Sequence, residues 1–431
     1  MSRSYRIFLI TLLIVCLVVA GACVALHLTI PQAAPEDSTL EHPPEQSPQT
    51  PDPAPSPAGP QEPADPEPDT PDAPGGEPSA PATPQEQAQA QLDSMTLREK
   101  IYQMMFVTPE WLTGYDRVTA AGDVTKQAIK TYPVGGIIYF ASNLQDREQT
   151  QQMIANTQSY SKIPLFIGVD EEGGIVSRLG SNPEMGVTAF PNMADYGAAG
   201  DAEAVYDVGA TLGRELKELG FNLDFAPVCD IVTNPDNTEI GPRSFSSDPQ
   251  VAAAMVSKLV QGLQDNGVAS SLKHFPGHGS TSADSHSGLS STDRTLDELR
   301  QAELIPFEAG IQAGAQFVMV SHMSVPSITG DNTPCDLSPA IISLLRDELE
   351  YTGIVITDSQ AMGAITQYYT ASEAALAAVN AGVDMILMPN HLEEAAVSLM
   401  RAVEDGQIPE SRIDESVLRI LTAKYALGIA Q

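Results

Sequence analysis

The chain has 431 residues, of which 56 are acidic and 22 basic, for a formal net charge of −34. That balance argues against nucleic acid as a partner, because holding phosphates requires a basic surface. The length allows one large domain with a sizeable core, but the first stretch of roughly ninety residues lacks the composition to join it.

The chain begins with Arg3 and Arg6 ahead of an apolar run from Ile7 to Leu28, close to the ~20 residues that match a bilayer core. Positive charge ahead of the run keeps that end cytoplasmic and places the remainder outside. The segment reads as an uncleaved signal anchor, or as a lipoprotein signal cut before Cys23 in VAGAC; a secretion signal that is simply removed is the third reading. Between Pro31 and Pro84 lie 18 of the 34 prolines, and Ala33 to Ser94 carries thirteen acidic residues with no Lys, Arg or aromatic residue. Such a segment cannot bury enough apolar surface to offset the entropy of ordering it. We assign residues 1–30 to the anchor or signal, 31–90 to a disordered Pro-rich acidic linker in extended form, and 91–431 to a single domain.

Within the domain, TLRE at Thr96 has capping-box spacing and starts a helix. Short apolar runs then recur: MMFV near Met104, GGIIYF from Gly135, PLFIGV from Pro164, NLDFAPV from Asn222, SSLKHF from Ser270, FVMVSH from Phe317, GIVITD from Gly353 and DMILMP from Asp384. Their length and their Val, Ile and Phe content suit strands covered on both faces. Amphipathic stretches such as those from Ala202 and Val251 separate them and end in glycine, the residue best able to take a left-handed cap. About eight strands alternating with helices predict an α/β fold of the TIM-type (β/α)8 barrel. A doubly wound open sheet is the rival, and no GxGxxG loop follows an early strand to support it.

Asp170, Lys273 with His274, His322 and Asp358 stand at the ends of four different runs. In a barrel those ends meet at one face, so residues far apart in sequence converge on one pocket. The stretch Lys273 to Ser290, KHFPGHGSTSADSHSGLS, holds three of the seven histidines. His274 and His278 are four apart, but Pro276, Gly277 and Gly279 oppose a helix, no HExxH pattern occurs, and the P-loop pattern is missing. No metal and no cofactor is expected. Asp284 and His286 lie two apart in a polar loop, where a carboxylate can orient an imidazole and favour its protonated form, or where both are merely solvated. Cys229 and Cys335 are the domain's two cysteines and could pair in an oxidising compartment, which spacing alone does not decide.

VDEEGGIVSRL (169–179), GPRSFSSDP (241–249), KHFPGHG (273–279), DSH (284–286) and ITDSQAM (356–362) occur in one order. In these motifs the domain resembles glycoside hydrolase family 3, in its bacterial β-N-acetylglucosaminidase branch. The resemblance implies a retaining exo-β-N-acetylhexosaminidase acting on cell-wall fragments or chito-oligosaccharides. Asp358 would be the nucleophile that forms a glycosyl-enzyme, His286 the acid and base, and Asp284 its orienting partner. Asp170, Lys273, His274, Arg243 and Arg178 would hold the sugar, with His278 shaping the loop. Alternatives stay open at single positions: Arg243 could brace a loop against Asp170, Lys273 could pair Asp358, and His322 could be a prop behind the site. The chain departs from the family at Ile175, often an arginine, and at Ser359, often a second acid. It ends soon after the last barrel helix, so the site is expected to be completed within the barrel of a monomer. A β-glucosidase or β-xylosidase of the same family and a non-catalytic sugar-binding lipoprotein are the competing readings.

Overall fold

The computed structural model of the chain describes residues 82–281 and 288–430. The apolar run from Ile7, nearly all of the linker, and both Asp284 and His286 lie outside the described residues. Among the described residues no helix is long and apolar enough to cross a membrane.

The first described helix, Pro84–Asp93, begins inside the span that composition groups with the linker. Its proline occupies the first turn, where the missing N–H costs nothing, and Thr83 and Glu86 close a capping box. Past Pro84 the sequence turns to Gln and Ala, which favour helix. Ala88 and Leu92 are buried, and the helix packs along the last one, Glu410–Ala426. The expected capping box at Thr96 is present, with Glu99 as its partner, and opens helix Leu97–Gln103.

All eight apolar runs form strands: β1 Met105–Val107, β2 Gly136–Ile138, β3 Phe166–Val169, β4 Leu223–Asp224, β5 Ala269–Phe275, β6 Phe317–Val320, β7 Ile354–Thr357 and β8 Ile386–Leu387. Each pairs in parallel with its sequence neighbour from β1 to β7, and β8 pairs with β1. The parallel bridge Ile356↔Met385 joins β7 to β8 and closes the ring. The architecture is a TIM-type (β/α)8 barrel. The helices expected from Ala202 and from Val251 are Ala202–Leu219, capped by Asp201 and Gly220, and Pro249–Asp265, which starts two residues earlier than expected and is capped by Asp248. One element was not expected: after β3 the chain makes a two-stranded antiparallel ribbon, Glu171–Gly173 with Val176–Ser177.

The barrel interior is packed with aromatic rings. Phe106 and Phe225 meet edge to face at 5.4 Å, and Phe166 and Phe317 at 5.0 Å. Glycine makes room for them: a Cβ on Gly136 would fall within 2.4 Å of the Phe106 ring, and one on Gly168 within 2.7 Å of Phe225. Cys229 and Cys335 are both buried and free, so the two thiols do not pair.

Candidate active site

Asp170 follows β3, His322 lies two residues beyond β6, and Asp358 follows β7, while Lys273 and His274 lie near the end of β5. Parallel strands present these ends to one face of the barrel. Asp170, Arg178, Arg243, Lys273, His274 and Asp358 all line one cavity of ≈ 320 Å³ at that face. Apolar side chains complete it, among them Phe140, Met319 and Met388. Six of the eight residues that the sequence nominates are thus brought together, and Asp284 and His286 lie outside the described residues.

The charged side chains interlock. Lys273 Nζ is 2.8 Å from Asp170 Oδ1 and 2.6 Å from Glu172 Oε1. Arg243 grips Glu172 with two bonds, Nε to Oε2 and Nη2 to Oε1, each 2.8 Å. Arg178 reaches Asp170 Oδ2 at 3.6 Å and lies 5.7 Å from the Phe140 ring centre. Two of the alternatives raised by the sequence, those at Arg243 and Lys273, are therefore corrected. Arg243 braces against Glu172 rather than Asp170, and Lys273 pairs with Asp170 and Glu172 rather than with Asp358.

Burial works to raise the Glu172 pKa, but Lys273 and Arg243 outweigh it and hold the carboxyl at about 2. Burial would likewise strip the Lys273 proton, and the carboxylates of Asp170 and Glu172 more than offset that, keeping it above the ordinary lysine value. Both follow one rule: a buried charge persists where opposite charge and hydrogen bonds replace water.

His274 is oriented from behind. Its Nδ1 lies 2.7 Å from Asp230 Oδ2, which leaves Nε2 as the ring atom that can meet a ligand. The same carboxylate accepts the backbone N–H groups of His274 and His278. Burial works to raise the Asp230 pKa, and His274 and His278 bring it below the usual carboxylate range. His278 is buried, sits 3.0 Å from Thr281 Oγ1 through Nδ1, and offers its carbonyl to Asn237. These are loop-shaping contacts.

Asp358 is half-buried at the cavity wall. Its Oδ1 accepts the Ser359 N–H at 2.7 Å. Burial opposes its charge, but His322, His274, the Ser359 N–H and Lys273 prevail, so its pKa lies below the usual range. It is an ionised carboxylate facing a pocket lined with hydrogen-bonding groups. Glu172 and Asp230 are contributors that the sequence reading missed. Glu172 alone carried a signal, as the third acid of the DEE run beginning at Asp170. Among the described residues no group of three or more His, Cys, Asp or Glu side chains could hold a metal ion.

The model of the glycosyl hydrolase family 3 N-terminal domain matches residues 96–423. The chain belongs to glycosyl hydrolase family 3. It is 35% identical over 330 residues to beta-hexosaminidase A of Pseudoalteromonas piscicida, covering 70% of this chain and 55% of that one. To beta-hexosaminidase LpqI of Mycobacterium tuberculosis it is 40% identical over 270 residues, 61% of this chain and 68% of the relative. The structure of a family 3 beta-N-acetylglucosaminidase from Paenibacillus sp. FPU-7 superposes with a TM-score of 0.73 at 39% identity, over 78% of this chain and 63% of that one. The chain thus spans little more than half the length of the first of these relatives.

Proposed function

We propose that this family 3 hydrolase is a retaining exo-β-N-acetylhexosaminidase, removing terminal β-linked N-acetylglucosamine from cell-wall fragments or chito-oligosaccharides. The carrying observation is that Asp358 stands ionised in the same small cavity as the Asp170–Lys273–Glu172–Arg243 network. The beta-hexosaminidase names of its relatives support the choice of sugar.

In this reading Asp358 attacks the anomeric carbon and the glycosidic oxygen leaves with a proton, forming a glycosyl-enzyme; water then attacks that ester, releasing the sugar with its original configuration. Asp170 accepts from ring hydroxyls. Lys273, Arg243, Arg178 and His274 donate to them or orient the groups that do, because charge-assisted bonds stay strong where water is excluded. We assign the proton shuttle to His286 with Asp284 as its orienting carboxylate, both outside the described residues. The same proposal takes the N-terminal run as an anchor or lipid-bearing signal, and the acidic Pro-rich stretch as a spacer holding the domain outside the cytoplasmic membrane.

A chromogenic aryl β-N-acetylglucosaminide tests it. Wild type should release the aryl group, prefer this substrate to the matching glucoside, and yield the β-anomer first by proton NMR. Asp358→Ala should lose at least about 10³-fold in kcat/KM with the fold intact. Hydrolysis absent in wild type, or equal in the variant, defeats the reading.

A further inference from the structure

His322 and Asp336 lie behind the cavity rather than in it. Both are fully buried, at 0% exposure, and neither lines the pocket. His322 follows β6. Asp336 comes from the turn Cys335–Leu337, which folds back so that its N–H bonds to the Ser321 carbonyl at 3.2 Å. His322 Nε2 is 2.8 Å from the carbonyl oxygen of Ser359. Its Nδ1 stands 3.1 Å from Asp336 Oδ1, in ion-pair range but off the line of a good hydrogen bond.

Both ring nitrogens thus face oxygen. A neutral imidazole has only one N–H, so the arrangement is satisfied by the imidazolium, which has two. Neither carboxylate oxygen of Asp336 has a well-aligned hydrogen-bond partner among the described residues, His322 is the cationic group beside it, and a buried carboxylate without a countercharge is costly. The pair also adjoins the nucleophile: Ser359, whose carbonyl takes Nε2, is the residue whose N–H binds Asp358 Oδ1.

We propose that His322 and Asp336 form a positioning pair that keeps a positive charge behind Asp358 and pins the Asp358–Ser359 turn, acting on the reaction through the nucleophile and not on the sugar. This rests on the assignment of Asp358 as nucleophile. The charged and titratable groups facing the pair among the described residues are Asp358 and, beside Asp336, Tyr369 and the buried Cys335 thiol. Asp358 in turn faces His274 and Lys273 as well as His322. Burial disfavours the imidazolium, but Asp336 and Asp358 prevail and raise the His322 pKa to about 9. Burial also pushes the Asp336 carboxyl up, which would let it keep the shared proton. The Ser359 and Asp358 oxygens around His322 favour placing that proton on the ring.

The test reads titration directly, using Asp336→Asn and His322→Gln; the glutamine can still donate to the Ser359 carbonyl but carries no charge. In the full chain, ¹⁵N-histidine NMR should find both His322 nitrogens protonated at pH 7.5 in wild type, with one N–H lost in Asp336→Asn. The ¹³C carboxyl signal of Asp358, assigned by its loss in Asp358→Asn, should titrate about one pH unit higher in both variants. The acidic limb of kcat/KM on a dinitrophenyl glycoside, whose leaving group needs no proton, should move up with it. A neutral His322 in wild type overturns the proposal, as does an Asp358 titration unmoved in both variants. The NMR readouts hold whatever sugar is cleaved, so failure of the pair and failure of the proposed activity are told apart.

Discussion

Glu172→Gln isolates one charge at the centre of the cradle. Glu172 receives one bond from Lys273 and two from Arg243 and is 2% exposed. Holding its carboxyl at about 2 instead of the 4.5 of a free glutamate favours the charged form by about 3 kcal/mol, at about 1.4 kcal/mol per pH unit. Breaking a buried pair from one side costs about 3–5 kcal/mol by a separate route, here because Arg243 loses its paired carboxylate and Lys273 keeps only Asp170. The two agree. At roughly 2 °C per kcal/mol for a domain of this size, Tm at pH 7 should fall by roughly 6 °C. The sign of the pH dependence follows from a depressed carboxyl: its contribution is complete above about pH 5 and is lost as pH falls toward 2. Wild type should therefore lose stability steeply across that window, and Glu172→Gln should lose about 3 kcal/mol less there. Calorimetric or fluorescence melts at pH 7, 5, 4 and 3 measure both effects. Equal Tm at pH 7 with parallel acid profiles would refute the claim that this carboxylate anchors the cradle.

Arg243→Lys keeps a charge but loses the two-pronged grip on Glu172; kcat/KM should fall about 10–100-fold, mostly through KM, as steady-state assay would read. Gly168→Ala should destabilise by about 1–3 kcal/mol, since its Cβ would press on Phe225 at 2.7 Å and Phe106 at 3.0 Å inside a closed ring; a urea melt checks it. His278→Ala, in a buried loop contact away from the cavity wall, should lower Tm by more than it lowers kcat/KM once the folded fraction is corrected for, as paired melts and assays would show.

The barrel was legible because its signal is repeated. Eight short apolar runs, each ending where the chain turns polar, leave few other ways to bury both faces of a sheet. The strand ends also gave Asp170, Lys273, His274 and Asp358, since parallel strands put their ends on one rim. The charge partners were not legible. Lys273 and Asp170 are 103 residues apart, Arg243 and Glu172 are 71 apart, and no periodicity links them. Glu172 turns inward only because the chain makes a ribbon after β3, which the EEGGIVS sequence does not announce as a strand pair. Asp336 sits in a turn with neither periodicity nor motif and gains meaning only when that turn folds back against Ser321. Helix Pro84–Asp93 was hidden for the opposite reason: acidic, Pro-rich composition averaged over sixty-odd residues masks a short helix at its edge.

The partition of cations explains how the cradle and the proposed nucleophile, Asp358, can share one small cavity. A lysine locked onto Asp358 would lower its pKa but also tie up the oxygen that, in the proposed mechanism, attacks carbon. Instead Lys273 is held between Asp170 and Glu172, Arg243 is held by Glu172, and among the described residues no cation makes an ion-pair contact with Asp358. Its charge is maintained by His322 and Lys273, both set back from it, and by a backbone N–H on one oxygen. Coulomb attraction falls only as the inverse of distance, whereas a hydrogen bond fades within about an ångström of its optimum. Cations set back from the carboxylate can therefore keep it ionised without competing for its lone pairs. Glu172 has a part in this arrangement without touching Asp358: it engages both Lys273 and Arg243, which leaves the proposed nucleophile without a direct ion pair among the described residues.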